Sequence, residues 1–316
     1  MDELNRIIQD YLNDVSEYDF DDYSAVKKMS EIILSNRYPD FRDKIKSRFG
    51  LSKSVDLAFS FFDRIGYGDY FLERINDGTF NFKHVSKRSD ETPVSFYNYE
   101  LCKNEIYLPY SNDINDAYYI VHEFLHDTNL DINNLSYTRG IFTEYISMFG
   151  EFLFEYFIKE NYNINSFRND INYSFNSCYV SALKVDFQLN LLKCYLDRGY
   201  LNNYFLNSII NRYDSKHEAT LWRSCYSIID NKNLNFGFHM RYLFGILLSC
   251  YSYDLFLNNK FDLDLFTLIN DNINYMEPED VYGLLDLDVI DDFNLLLSPD
   301  SYEKIDKSYR KIMGKR

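Results

Sequence analysis

Helix breakers are scarce in this chain: 11 glycines and 5 prolines are spread over 316 residues. Gly and Pro cost a helix interior about 1 and 3 kcal/mol relative to Ala, so their scarcity favours long, seldom-interrupted helices. Residues 1–77 carry the matching periodicity. MDELNRIIQDYLNDV and YSAVKKMSEIILSN repeat apolar side chains at three and four, and SVDLAFSFFDRIGYGDYFLERI does so with a break near Gly66 and Gly68. Between 79 and 109 the pattern changes to short β-branched and aromatic runs, GTFNFKHV, TPVSFYNYE and NEIYLPY, separated by polar turns. These predict a small antiparallel β-sheet. From Asp113 onward helices return, with turn signals near 131–136, 199–203, 231–236, 257–262 and 296–300. No repeat, low-complexity tract or Pro/Gly linker marks a boundary. The expectation is one mainly α domain over 1–316, with an N-terminal helical part (1–77) and a part carrying the chemistry (78–316).

Hydrophobic residues make up 46% of the chain, enough to bury a sizeable core. The 30 tyrosines and 27 phenylalanines are read first as core and groove packing. The formal net charge is −16, and the densest basic runs, KSRFGLSK at 46–53 and KSYRKIMGKR at 307–316, are short. Neutralising phosphates takes a basic face, so no nucleic-acid partner is expected. Five cysteines without CxxC spacing read as reduced core residues. The N-terminus has no basic and apolar leader pattern, and YLFGILLSCYSYDLF at 242–256 is too short and too polar to span a bilayer. The expected location is the cytoplasm, with no membrane partner.

The segment NDINDAYYIVHEFLHDTNL carries the chemistry. Asn115 or Asp116 is a candidate helix cap. Ala117, Ile120, Val121, Phe124 and Leu125 supply an apolar face. His122 and His126 stand four apart, one helical turn, so both imidazoles project from one face and can grip a single ion. Glu123 sits where it can reach a water at that ion without binding the ion itself. Multiplying residue frequencies gives roughly a few in a thousand for a chance HExxH in one chain of this make-up. Zinc takes a third protein ligand and leaves a fourth position open. No other histidine is near in sequence, so a carboxylate is required. TRGIFTEYISMFGEFLFEYF offers Glu144, after a polar turn at Asp131, Asn133 and Asn134, and Glu151 two turns later on nearly the same face. Glu144 is the expected third ligand, with Glu151 its support or its alternative. Asp127 is a weaker candidate for orienting a ligand histidine. His84 and His217 have no partner pattern and read as surface or structural.

HEFLH followed by IFTEYISMFGE resembles the thimet oligopeptidase and oligoendopeptidase F peptidases, the M3 group. Glu144, Ser147, Phe149 and Glu151 match that family's AExxSxFxE-like pattern. The similarity is good from about Asn104 to Tyr156 and weaker at NFGFHMRYLFG (235–245) and EPEDVYGLLDLDVID (277–291). Leu125 stands where the family usually has Gly, and the chain is about half the usual length. The resemblance implies a helical, gluzincin-like zinc peptidase binding one Zn²⁺ through His122, His126 and Glu144. It implies Glu123 as general base and His239 and Tyr242 as counterparts of the family's late His and Tyr, which bind the substrate carbonyl.

The expected activity is therefore peptide-bond hydrolysis, with a peptide as the partner. The strand around Glu105–Leu108 is expected to pair with it in extended form. The alternatives are a specialised protease for one partner or leader peptide, and a non-catalytic metal-binding module.

Overall fold

The computed structural model describes residues 1–14, 23–36, 49–86, 91–129, 137–162, 170–234, 236–291 and 296–314. The turn expected at 131–136, with Asp131, Asn133 and Asn134, lies outside the described residues, as do 46–48 of the first basic run.

Among the described residues, the chain opens with the helices α1 (Asp2–Asp14), α2 (Ser24–Leu34), α3 (Leu51–Arg64) and α4 (Gly68–Asn76). Each buries the stripe its periodicity marks. Leu4, Ile7 and Ile8 are inside on α1, Val26, Met29 and Ile33 on α2, and Leu57, Ala58, Phe61 and Phe62 on α3.

Three strands follow, β1 (Phe80–His84), β2 (Val94–Asn98) and β3 (Lys103–Tyr110), in the spatial order β1-β3-β2. β2 runs antiparallel to β3, with Ser95 opposite Ile106. β1 runs parallel to it, with Phe80 beside Ile106. The sheet is thus mixed, not antiparallel as the sequence suggests. Side-chain alternation records which residues face the core and says nothing of a partner strand's direction. β3 buries Ile106 and Leu108 completely and has a neighbour on each side. The strand expected to accept a peptide at Glu105–Leu108 is therefore the centre of the sheet, and the outer edges belong to β1 and β2.

The remaining helices are α5 (Asn115–Thr128), α6 (Tyr137–Tyr162), α7 (Asp170–Arg198), α8 (Asn203–Ile210), α9 (Glu218–Asn231), α10 (Phe236–Leu257), α11 (Leu263–Asn272), α12 (Pro278–Leu284) and α13 (Pro299–Gly314). A short ribbon, β4 (Val289–Asp291) and β5 (Leu296–Leu297), precedes α13. α6 and α10 are apolar nearly all round and form the centre, α10 packing on α6, α7, α2 and α13. Ser249 Oγ donates to the carbonyl of Tyr145 at 3.1 Å, and the Tyr145 hydroxyl meets Ser252 Oγ at 2.8 Å. These bonds fix the register between the two helices. The apolar run 242–256 is buried in α10, and among the described residues no helix is long and apolar enough to cross a membrane.

α5 packs between α6, α3 and the sheet. Two glycines set its neighbours' approach. A Cβ at Gly150 of α6 would stand 2.0 Å from Leu125 Cδ1, so Leu125 of α5 fills the space that Gly150 leaves. A Cβ at Gly245 of α10 would stand 2.8 Å from Glu144 Cβ, so α10 crosses α6 directly over the candidate third ligand.

Candidate metal centre

α5 starts at a tight acidic loop. Asp116 accepts from the backbone N–H groups of Ser111 and Asp113, both at 3.1 Å, and Asp113 accepts from that of Asn115 at 2.9 Å. Asp113 therefore satisfies the first helical N–H, with Asp116 bracing the loop, in place of a cap at Asn115. Ala117, Ile120, Val121, Phe124 and Leu125 are fully buried. With that face committed to the core, His122 and His126 are presented toward α6.

The two imidazoles converge, Nε2 to Nε2, at 3.0 Å. Glu144 Oε2 lies 3.5 Å from His122 Nε2 and 3.8 Å from His126 Nε2. Donors each about 2.0–2.2 Å from a tetrahedral zinc stand about 3.3–3.6 Å from one another. The three separations bracket that range without any side chain moving. Glu144 Oε2 is buried and makes no regular hydrogen bond among the described residues, which suits an oxygen aimed at a cation. The chemistry of the set, two imidazoles and one carboxylate, also suits zinc. The His122–His126–Glu144 group can hold a metal ion.

The surrounding charges support that role. Burial opposes ionisation of Glu144, but His122, His126 and Arg241 outweigh it and bring its carboxyl down to about 2. Burial also opposes a charged His122, yet Glu144 and Glu151 hold its pKa well above the ordinary imidazole value. Glu151 Oε1 lies 2.5 Å from His122 Nδ1, and its other oxygen accepts from Ser174 Oγ of α7 at 3.0 Å. Glu151 thus holds the Nδ1 side of His122, leaving Nε2 toward Glu144, a placement that suits the supporting one of the two roles left open by the sequence. Glu123 is 5% exposed. Burial pushes its carboxyl up to about 7, with His122 pulling the other way and a backbone hydrogen bond from Ser95 of β2 helping to keep it ionised.

α10 contributes Arg241 and Tyr242. Arg241 Nε lies 3.4 Å from Glu144 Oε1, on the oxygen that the histidines leave. Its guanidinium rests over the rings of Phe238 and Tyr242. Tyr242 feels the charge of Glu144, and burial raises its pKa, so its hydroxyl stays protonated. His239 stands elsewhere: it lines a cavity with Lys184, Gln188 and Ser224, and none of His122, His126 or Glu144 lines that cavity. Phe238, Arg241, Tyr242 and Gly245 share one face of α10 by their three-and-four spacing, while His239 is turned about 100° from Phe238. Arg241 was missed in the sequence, and that spacing around Gly245 is the signal that could have found it.

Asp127 does not orient a ligand. Its Oδ2 accepts from Arg74 Nε at 3.1 Å and from the Tyr70 hydroxyl at 3.2 Å, tying α5 to α4. His84 packs edge-on against Tyr110, and His217 meets Tyr179.

No family model and no curated protein matches the chain. Among solved structures, the fold is similar to that of a "putative peptidase" from Chlamydophila abortus, with a TM-score of 0.54 and 14% identity over 98% of this chain. That similarity is one of fold, and this chain spans 55% of the length of the other.

Proposed function

We propose that this protein is a zinc-dependent peptidase, an endopeptidase or oligopeptidase, and a short divergent relative of the M3 group. The single observation that carries the reading is the convergence of His122, His126 and Glu144 at 3.0, 3.5 and 3.8 Å beside a buried glutamate in the HExxH position. The fold shared with a protein described as a peptidase agrees with it. The whole chain is read as one catalytic unit, residues 1–77 buttressing 78–316.

A zinc ion in this site supplies Lewis-acid activation of water and of a peptide carbonyl. Glu123, buried beside the site, takes the proton of the attacking water and passes it to the leaving amine. Glu151 fixes the His122 ring. Tyr242 is the hydrogen-bond donor toward the developing oxyanion, and Arg241 keeps Glu144 to one oxygen on the metal side. The peptide lies along β2. Antiparallel alternation turns the N–H and C=O groups of Ser95 and Tyr97 away from β3, since Ser95 already reaches Glu123. An extended peptide adding to that edge passes beside Glu123.

Metal analysis of the purified protein, with hydrolysis of a mixed peptide panel with and without chelator, tests the reading. The expected result is about one zinc per chain and chelator-sensitive cleavage. Glu123→Gln is expected to retain zinc and lose about 10²–10⁴-fold in kcat. A protein that stays metal-free in excess zinc, or a Glu123→Gln variant that cleaves at the parental rate, sinks it.

A further inference from the structure

Residues of α7, α9 and α10 line an open cavity of about 420 Å³. Its lining includes Lys184 and Gln188 from α7, Arg223 and Ser224 from α9, and His239 from α10. Among the described residues no carboxylate lines it, although the chain carries 49 acidic residues against 33 basic ones. Neither Lys184 nor Arg223 has an ion-pair partner among the described residues. Arg223 stands at the exposed mouth and Lys184 is half-buried. The floor is Gln188, 1% exposed, and His239, 8% exposed. Gln188 Oε1 and His239 Nδ1 are both buried with no hydrogen-bond partner among the described residues. A half-buried Lys184 without a counter-ion and two buried polar atoms without partners around one hollow carry a desolvation cost that a bound group relieves, and the solvated Arg223 adds positive charge at the mouth.

We propose that this cavity binds a small oxyanion that also carries a hydrogen-bond donor. The oxygens lie between Lys184 and Arg223, and the donor reaches Gln188 or His239 on the floor. Two sources share that chemistry: free hydrogen phosphate, and the C-terminal carboxylate of a peptide with its last N–H. Burial, with Lys184 and Arg241 nearby, brings His239 down to about 4, so its ring is neutral and one nitrogen can accept. The cavity lies on another side of α10 from the candidate metal centre: His239 lines it, whereas Arg241, two residues along and about 200° round the helix, reaches Glu144. Its binding chemistry does not require the metal.

The test is calorimetric titration of the full-length, chelator-treated protein at constant ionic strength, with chloride as the control anion. The probes are inorganic phosphate, trialanine and trialanine amide. Saturable binding of phosphate, or of trialanine but not its amide, supports the proposal and tells the free ion from the peptide terminus. Lys184→Met and Arg223→Gln, both reaching solvent and safe for folding, each weaken that binding by about tenfold or more. Absence of binding by phosphate and trialanine, trialanine amide binding as well as trialanine with no phosphate binding, or equal affinity in Lys184→Met and the parent overturns it. Because metal-free protein is used, that failure leaves the peptidase reading untouched, and a metal-free peptidase site leaves this result standing.

Discussion

Glu151 and His122 make the closest polar contact of the candidate site, Oε1 to Nδ1 at 2.5 Å. The pairing divides labour between two glutamates on α6. Glu144 faces the imidazole Nε2 atoms, and Glu151, seven residues on, holds the far nitrogen of His122. A carboxylate in that position fixes the tautomer and makes the ring a better donor, and its loss costs about 10–100-fold in metal affinity. Glu151→Ala is therefore expected to weaken zinc binding within that range, while Glu144→Ala, which removes the proposed third ligand, weakens it further. Competition titration with a chromogenic chelator measures both. The reverse order would make Glu151 the ligand and Glu144 its support.

Metal binding is expected to displace a proton. In the metal-free protein His122 keeps its proton to well above the ordinary imidazole pKa, whereas Glu144, at about 2, is already ionised. A ligand nitrogen must be deprotonated, so zinc binding near neutral pH releases at least the His122 proton, with any still held by Glu123 added to it, and affinity rises with pH by about tenfold per unit for each proton released. The sign follows from His122: its raised pKa makes the proton the metal's competitor, and the competition fades as pH rises through that pKa. Titration calorimetry in two buffers of different ionisation enthalpy gives the proton count. A count near zero would mean that His122 is neutral before the metal arrives.

Leu125 and Gly150 form a size-matched pair across α5 and α6. Gly150→Ala puts a methyl where Leu125 Cδ1 sits, so it is expected to destabilise the protein by about 1–3 kcal/mol. Leu125→Ala is expected to cost about 2–5 kcal/mol through the cavity it leaves. In the Leu125→Ala background the clash is gone. There Gly150→Ala should stabilise by up to about 1 kcal/mol, from helix propensity. Urea denaturation of the four proteins reads the cycle, and additive effects would show that the two residues do not compete for one space.

What the sequence makes legible follows from local geometry. His122 and His126 share a face because a helix repeats near four, and Glu144 and Glu151 sit two turns apart for the same reason. Their convergence across two helices could be anticipated from chemistry, since imidazoles gripping an ion need a carboxylate. Rotational register was harder. NFGFHMRYLFG reads as a helix at once, but only Gly245, packed on Glu144, sets which side of α10 faces the site. That choice brings in Arg241 and turns His239 toward Lys184. Strand direction was not legible at all. The alternation in NEIYLPY marks Ile106 and Leu108 as core, and the same alternation serves a central or an edge strand, with parallel or antiparallel neighbours.

The edge strand supplies the last prediction. β2 is an outer strand of the sheet, and Tyr97 is in the same phase as Ser95, so its N–H points away from β3. Proline at 97 removes one donor from that outer edge and no bond from the β2–β3 ladder, a substitution that outer strands tolerate. If peptides add along β2, Tyr97→Pro loses one backbone hydrogen bond to substrate, about 0.5–1.5 kcal/mol. The expected outcome is a rise in KM of about 2–10-fold, with zinc content and melting temperature near the parental values. Tyr97→Ala, which keeps the N–H, separates the backbone effect from the side chain. Steady-state kinetics on one cleaved peptide would decide it. An unchanged KM in Tyr97→Pro would place the substrate away from β2.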